Sequence, residues 1–192
     1  MSKNLIAISA PSGTGKTTLC RSLQKLDASL NFSVSCTTRP RRKYEKEGFD
    51  YSFISQEDFK NKISLHEFIE YEEVHGYLYG TLKSSLDDAI KHNQLLLLEV
   101  DVRGAMTIKA LYPEHSLSVF ILPPSLGDLR KRLESRGTDS EERIQKRLER
   151  LELEMGYKER FDFSIINDEI EIATIELHQL INKVSKGEIN GT

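Results

Sequence analysis

Eight residues near the N-terminus, Ala10-Pro11-Ser12-Gly13-Thr14-Gly15-Lys16-Thr17, have the types and spacing needed to hold a chain of phosphates. The general phosphate-loop pattern is G-x-x-x-x-G-K-[ST]. It fits here at Gly15, Lys16 and Thr17, with Ala10 in the place of the first glycine. Gly13 and Gly15 let the backbone turn its N–H groups toward an anion, and the positive end of the following helix adds to their pull. Lys16 would reach the β- and γ-phosphates, and the Thr17 hydroxyl would ligate Mg²⁺. The same residues could make a plain strand-to-helix turn with its lysine in solvent, but the flanking elements favour the phosphate site. Such a loop predicts a nucleoside triphosphate and says nothing about an acceptor, because GTPases, ATPases and kinases share it.

The loop needs a strand before it and a helix after it. Leu5 to Ser9 is apolar throughout and reads as a buried parallel strand. Leu19, Leu23 and Leu26 give Lys16 to Leu26 a helical stripe. Phe32 to Cys36 reads as a short strand, and residues 37–54 as irregular and strand-like. Ser55 with Asp58 forms a capping box before Phe59 and Ile63. Thr81 to Asn93 reads as an amphipathic helix, and Leu95 to Val102 as the second strong strand. Val119 to Leu122 is a third, stopped by Pro123-Pro124. Ser125 with Asp128 caps a helix, Ser140 opens a long charged one, Ser164 to Ile166 is a fourth strand, and a last helix runs from about Glu169 to Val184. Alternating strands and helices predict an α/β fold, a parallel sheet with helices on both faces. Residues 37–84 and 126–152 have weaker core patterns and are expected to be subdomains hung on that sheet.

Composition narrows the ligand. The 192 residues carry a net charge of -3, with local basic clusters at Arg39 to Lys43 and Arg130 to Arg136. Local clusters on an acidic chain suit a small anion better than nucleic acid. Two cysteines and five scattered histidines offer no disulfide framework and no metal-ligand spacing. Apolar runs such as Leu95 to Leu98 are far too short to cross a bilayer. The start reads as a first strand, not a signal peptide. The expectation is a cytoplasmic protein, a monomer or small homo-oligomer, without nucleic-acid or membrane partners.

The acceptor comes from further blocks. Phe32 to Arg42 contains Ser35, Thr37-Thr38-Arg39-Pro40-Arg41-Arg42, and is followed by Gly48-Phe49-Asp50-Tyr51-Ser52-Phe53, Phe68-Ile69-Glu70-Tyr71 and Gly76-Tyr77-Leu78-Tyr79-Gly80-Thr81. Leu98-Glu99-Val100-Asp101, Pro123-Pro124-Ser125, Arg132-Leu133, Arg136-Gly137 and Ile166-Asn167-Asp168 come after these. Together, and in this order, they resemble the guanylate kinase family of P-loop nucleoside monophosphate kinases over residues 5–184.

That resemblance implies a single domain over residues 1–192. It would comprise a P-loop core (about 1–36, 85–125 and 153–186), a GMP-binding subdomain (about 37–84) and a helical lid (about 126–152). It implies transfer of the γ-phosphate of ATP to GMP with Mg²⁺. Ala10, Pro11, Ser12, Gly13, Thr14, Gly15, Lys16, Thr17, Thr18, Arg132, Arg136 and Asn167 would then hold ATP. Ser35, Arg39, Arg42, Tyr51, Glu70, Tyr79, Thr81, Glu99 and Asp101 would hold GMP, with the arginines and tyrosines on its phosphate and Ser35, Glu70 and Thr81 on its base. Thr17 and Asp101 would face magnesium, and Lys16, Arg39, Asp101, Arg136 and Arg147 would act on the transferring group. The sequence departs from the family at Glu99, where an aspartate is usual and a guanine contact is expected, and at Tyr44, where glycine is usual. Two other readings are a peptide-binding scaffold domain, which would have lost Lys16 or the ATP site, and a sugar-phosphate kinase, which would lack Ser35, Glu70 and Thr81 as a set.

Overall fold

The computed structural model describes residues 3–11, 13–74, 76–125, 127–129, 149 and 151–189. The expectations for Ser12 and for Arg132, Arg136 and Arg147 of the lid lie outside the described residues. Two sheets organise the rest. The first is wholly parallel, five strands in the order β2-β7-β1-β8-β9. Its strands are β1 (Leu5–Ser9), β2 (Asn31–Phe32), β7 (Leu96–Glu99), β8 (Ser116–Leu122) and β9 (Phe163–Ile166). The second has four strands in the order β4-β3-β6-β5. These are β3 (Cys36–Thr37), β4 (Ser52–Phe53), β5 (Phe68–Val74) and β6 (Tyr77–Leu82).

The pleat of the parallel sheet sorts its apolar residues onto two faces. Ile6, Ile8, Leu97, Val119 and Ile121 point to one side. There they meet Leu19, Cys20 and Leu23 of α1 (Lys16–Leu26) and Ala173, Leu177 and Ile181 of the last helix, α5 (Ile170–Ser185). Leu5, Ala7, Leu96, Leu98 and Phe120 point to the other side. They meet Leu86 and Ala89 of α3 (Lys83–Lys91) and Val102, Ala105 and Ile108 of α4 (Val102–Leu111). Both faces are covered, so the strands read as unbroken apolar runs and not as alternation. Among the described residues no helix is long and apolar enough to cross a membrane.

The mixed sheet has its own small core. Phe59 of α2 (Gln56–Ser64) stacks on Phe68 with ring centroids 4.4 Å apart, and Cys36, Ile54, Ile63, Leu78 and Leu82 surround them. Ser55 caps α2 as its sequence predicts, accepting from the Asp58 N–H at 3.0 Å. Cys20 and Cys36 are both free and buried.

Several boundaries differ from the sequence reading; the strand expected over Val119 to Leu122 begins at Ser116. The strand expected over Phe32 to Cys36 is two strands in different sheets, because the chain crosses between them at 33–35. The helix expected from Thr81 starts at Lys83, since Thr81 and Leu82 pair with β5. The strand expected to reach Val102 ends at Glu99, and Asp101 caps a new helix by accepting from the Gly104 N–H at 2.6 Å.

Candidate active site

A cleft of about 520 Å³ opens between the carboxyl ends of the parallel strands and the mixed sheet. Its position follows the rule for open parallel sheets, where ligands gather beyond the strands' carboxyl ends. Ala10, Pro11, Gly13, Gly15, Lys16, Thr17 and Thr18 line one end. Ser35, Tyr51, Glu70, Tyr79, Glu99 and Asp101 line the rest. Residues expected on an ATP site and on a GMP site therefore share one cavity.

At the phosphate end the loop leaves β1 and enters α1 through two left-handed glycines, Gly13 at φ 94° and Gly15 at φ 88°. A side chain at Gly15 would be strained by that backbone and would also meet Asn167 Nδ2 at 2.8 Å. Asn167 is buried and donates to the Thr14 carbonyl at 2.7 Å. It holds the loop from behind; the resemblance expects it near adenine. Thr14 is buried too, its hydroxyl donating to Pro11 O at 2.8 Å. Ala10, the departure from the glycine pattern, is buried in the core beside Ile8 and Leu19, so its methyl group is absorbed by packing. Lys16 reaches across the cleft and donates to Val100 O at 2.8 Å.

The two acidic residues after β7 are engaged differently. Thr17 Oγ1 donates to Glu99 Oε1 at 2.5 Å. Asp101 is turned to the start of α4 by its cap bond. The structure thus brings Glu99 to the residue expected to hold magnesium, and Asp101 to the neighbourhood of Glu70.

Glu70 projects from β5, just after an irregularity in the pairing with β6. Thr81 Oγ1 donates to its Oε1 at 2.5 Å, and Ser35 Oγ lies 3.5 Å from the Thr81 hydroxyl. The expected base-reading trio is therefore contiguous. Burial pushes the Glu70 carboxyl up to about 6; the Thr81 hydrogen bond opposes this, and the neighbouring Asp101 adds to it.

Of the residues expected on the acceptor phosphate, Tyr51 and Tyr79 line the cleft and Arg39 packs behind them. Arg39 makes a two-pronged ion pair with Glu45, at 2.7 and 3.0 Å. Its guanidinium lies 5.5 Å from the Tyr51 ring centroid, and Tyr51 meets Tyr79 edge-on at 5.8 Å. Hydrogen bonding to Glu45 holds Arg39 above its usual range and Glu45 below. The Arg42 N–H donates to the same carboxylate at 2.8 Å, leaving its side chain exposed. Glu45 thus gathers both arginines, and the loop keeps their spacing although Tyr44, 88% exposed, replaces the usual glycine.

The structure adds residues that the sequence reading missed. Arg21 and Asp50 line the cleft and join across it at 2.6 Å, linking α1 to the loop that carries Tyr51. Arg21 lies one helical turn beyond Thr17, so i,i+4 spacing was the available signal. Asp50 is adjacent to Tyr51 within a matched block. Glu72, two residues from Glu70 on the same strand face, and Glu154 also line the cleft.

Comparison with known proteins follows the same outline. The family model described as guanylate kinase matches residues 2–184. The guanylate kinase of Chlorobium luteolum is 48% identical over 88% of this chain and 86% of its own length. That of Porphyromonas gingivalis is 44% identical over 92% of this chain and 95% of its own. The crystal structure of guanylate kinase from Anaplasma phagocytophilum superposes with a TM-score of 0.77 at 32% identity, covering 96% of this chain and 87% of that one.

Proposed function

Because this chain belongs to the guanylate kinase family and is an ATP:GMP phosphotransferase, we propose a division of labour along its cleft. ATP binds with its phosphates on the loop from Ala10 to Thr18, and GMP binds across the mixed sheet with its base at Glu70 and its phosphate at Arg39, Arg42, Tyr51 and Tyr79. The observation that supports this most is that Lys16 and Glu70 line one cavity. Parallel assays of ADP release with GMP, AMP, UMP and CMP test it: GMP alone should give rapid release, and equal turnover with AMP would overturn the base-end assignment.

Magnesium fits the phosphate end. The Thr17 hydroxyl and the Glu99 carboxylate are hard oxygen donors, and among the described residues no group of three or more His, Cys, Asp or Glu could cage a metal. That suits an ion held by one or two protein oxygens plus substrate phosphates. Magnesium held there would supply positive charge that offsets the charge of the phosphates. The Thr17 hydroxyl, which keeps its proton while donating to Glu99, would offer a lone pair to the ion, and the backbone N–H groups around Gly13 and Gly15 would fix the phosphate chain. Lys16 leaves Val100 O for the γ-phosphate. Arg39 orients the acceptor phosphate for in-line attack, and the lid arginines Arg132, Arg136 and Arg147 complete the neutralisation. We assign Asp101 to the base end and Glu99 to the metal end, reversing what the resemblance implies for that pair.

The reassignment of Glu99 has a direct consequence. Residues that hold a metal's ligand in place typically cost about 10- to 100-fold in metal affinity when changed. Glu99→Gln should raise the Mg²⁺ concentration needed for half-maximal rate by about that factor, with little change in KM for GMP. A raised KM for GMP with an unchanged Mg²⁺ requirement would return Glu99 to the guanine.

Acid should weaken GMP use in two superposed steps. Glu70 reads guanine as a carboxylate, so its protonation below about 6 removes the acceptor pair facing N1–H and N2–H₂. The second ionisation of a phosphate monoester also falls at about 6. The logarithm of kcat/KM for GMP should therefore fall below pH 6 with a limiting slope near two. In Glu70→Gln only the substrate's ionisation remains, and the slope should fall to one. Identical slopes would remove Glu70 from the titration.

A further inference from the structure

The base end of the cleft is closed where the two sheets meet. Glu70 comes from the mixed sheet, and the first turn of α4 from the parallel one. At their meeting point residue 104 has no side chain. A methyl group there would stand 3.0 Å from Glu70 Cγ, 3.1 Å from Asp101 Oδ1 and 3.3 Å from Val100 Cβ. All three approaches are tighter than ordinary van der Waals contact, so a neighbour would have to yield. Val100 is buried in the core, and Asp101 is tied to the main chain by the cap bond at 2.6 Å. Glu70 has a flexible stem tethered only through the rotatable Thr81 hydroxyl, so its stem is what yields, and displacing the stem shifts the carboxylate.

Nothing in the backbone calls for glycine here. Gly104 is not among the left-handed residues, and it sits inside a helix, where alanine is the better helix former. The space it leaves is the space Glu70 fills. We propose that Gly104 is a positioning residue for substrate specificity: its bare Cα sets the depth at which Glu70 seats against α4, and so the placement of the carboxylate that reads the purine's N–H donors. This rests on Glu70 being the guanine reader.

The test is steady-state kinetics of Gly104→Ala, Glu70→Gln and the double variant in the full chain with Mg-ATP. Gly104→Ala should raise KM for GMP about 10- to 100-fold, the usual weight of a misplaced charged hydrogen bond. Its kcat at saturating GMP and its KM for ATP should stay within about twofold, because only ground-state placement is lost. Its melting temperature should stay close to the parent's, because alanine's helix preference opposes the cost of the displaced neighbours. The double variant should bind GMP no worse than Glu70→Gln alone, since both changes act through one carboxylate. An unchanged KM for GMP in folded Gly104→Ala, a matching loss for ATP, or additive losses in the double variant would each overturn the proposal. Should Gly104→Ala fail to fold, adding Glu70→Asp shortens the obstructed stem and should restore folding; failure of that pair to fold would also overturn it. Glu70→Gln alone separates the two ideas: if it keeps the GMP preference the reader assignment fails, and if it loses that preference while Gly104→Ala does not, only the positioning role fails.

Discussion

Lys16→Ala should retain its fold and its affinity for GMP while losing about 100- to 1,000-fold in kcat, the usual weight of one preorganised donor aimed at developing charge. The ammonium donates to the Val100 carbonyl at 2.8 Å across the cleft, and in the proposed complex it would exchange that partner for a β- or γ-phosphate oxygen. Charge on the transferring group is spread most widely in the transition state, so an interaction that strengthens there shows in kcat and less in KM. Lys16→Arg should rescue poorly, because a planar fork cannot replace a compact point charge in a loop built around one. Single-turnover kinetics with saturating Mg-ATP and GMP measure the step directly. Near-normal turnover in folded Lys16→Ala would remove the loop from catalysis.

The second large effect is expected at Glu70, with opposite signs in activity and stability. Glu70→Gln keeps the shape of the side chain and the acceptor for the Thr81 hydroxyl, but it turns one acceptor facing guanine into a donor. Sites built on hydrogen bonds reject a mismatched partner by roughly 10⁴ or more in kcat/KM. A loss of two or more such decades for GMP is therefore expected, with a narrowed GMP-to-AMP ratio and unchanged ATP binding. Stability should move the other way. Burial raises the folded-state carboxyl to about 6 from an ordinary 4.5, so the native state binds the extra proton between those values. Its stability falls as pH rises through that window, and at neutral pH the carboxylate is a cost to folding. The amide has no such cost. Glu70→Gln should melt higher than the parent at pH 7.5 and show a smaller difference at pH 4. A lower melting temperature at pH 7.5, or wild-type GMP preference, would count against Glu70 as a strained base reader.

How far this was legible depends on the range of the interactions. Strand β1, the helix after the loop and the caps at Ser55 and Ser125 are local patterns, and the structure shows them where the sequence puts them; the strands on either side of β1 are present with shifted ends. The mixed sheet was not legible as a sheet. Its strands β3 and β4 are two residues each, too short for any alternation, and they exist only because Cys36 and Thr37 pair with both 52–53 and 79–80. The break at 33–35 was hidden for the same reason, since Phe32 to Cys36 alternates well enough for one strand. Helix α4 was missed: its first residue, Val102, was read into the preceding strand because Val100 and Val102 continue the apolar run across the Asp101 cap, and 103–111 were given no element. At the site, motif position picked out Glu70, Thr81 and Ser35, which the structure brings together, but it did not show the reach of Glu99. Its extra methylene lets it reach Thr17, a contact that only the three-dimensional arrangement reveals. The same holds for Arg21 and Asp50, which are far apart in the chain and meet only across the cleft.

Both cysteine thiols are sealed in cores, Cys20 on the inner face of α1 and Cys36 in the mixed sheet, and burial pushes both away from the thiolate form. The thiolate is the species that attacks alkylating dyes. The native chain is thus blind to maleimide chemistry without a single cysteine being removed. Cysteines introduced at exposed Lys60 on α2 and exposed Glu171 on α5 become the two reactive points, one on each sheet's helical layer. A fluorophore pair installed there turns the separation of the two sheets into an optical signal, read as each nucleotide enters the cleft.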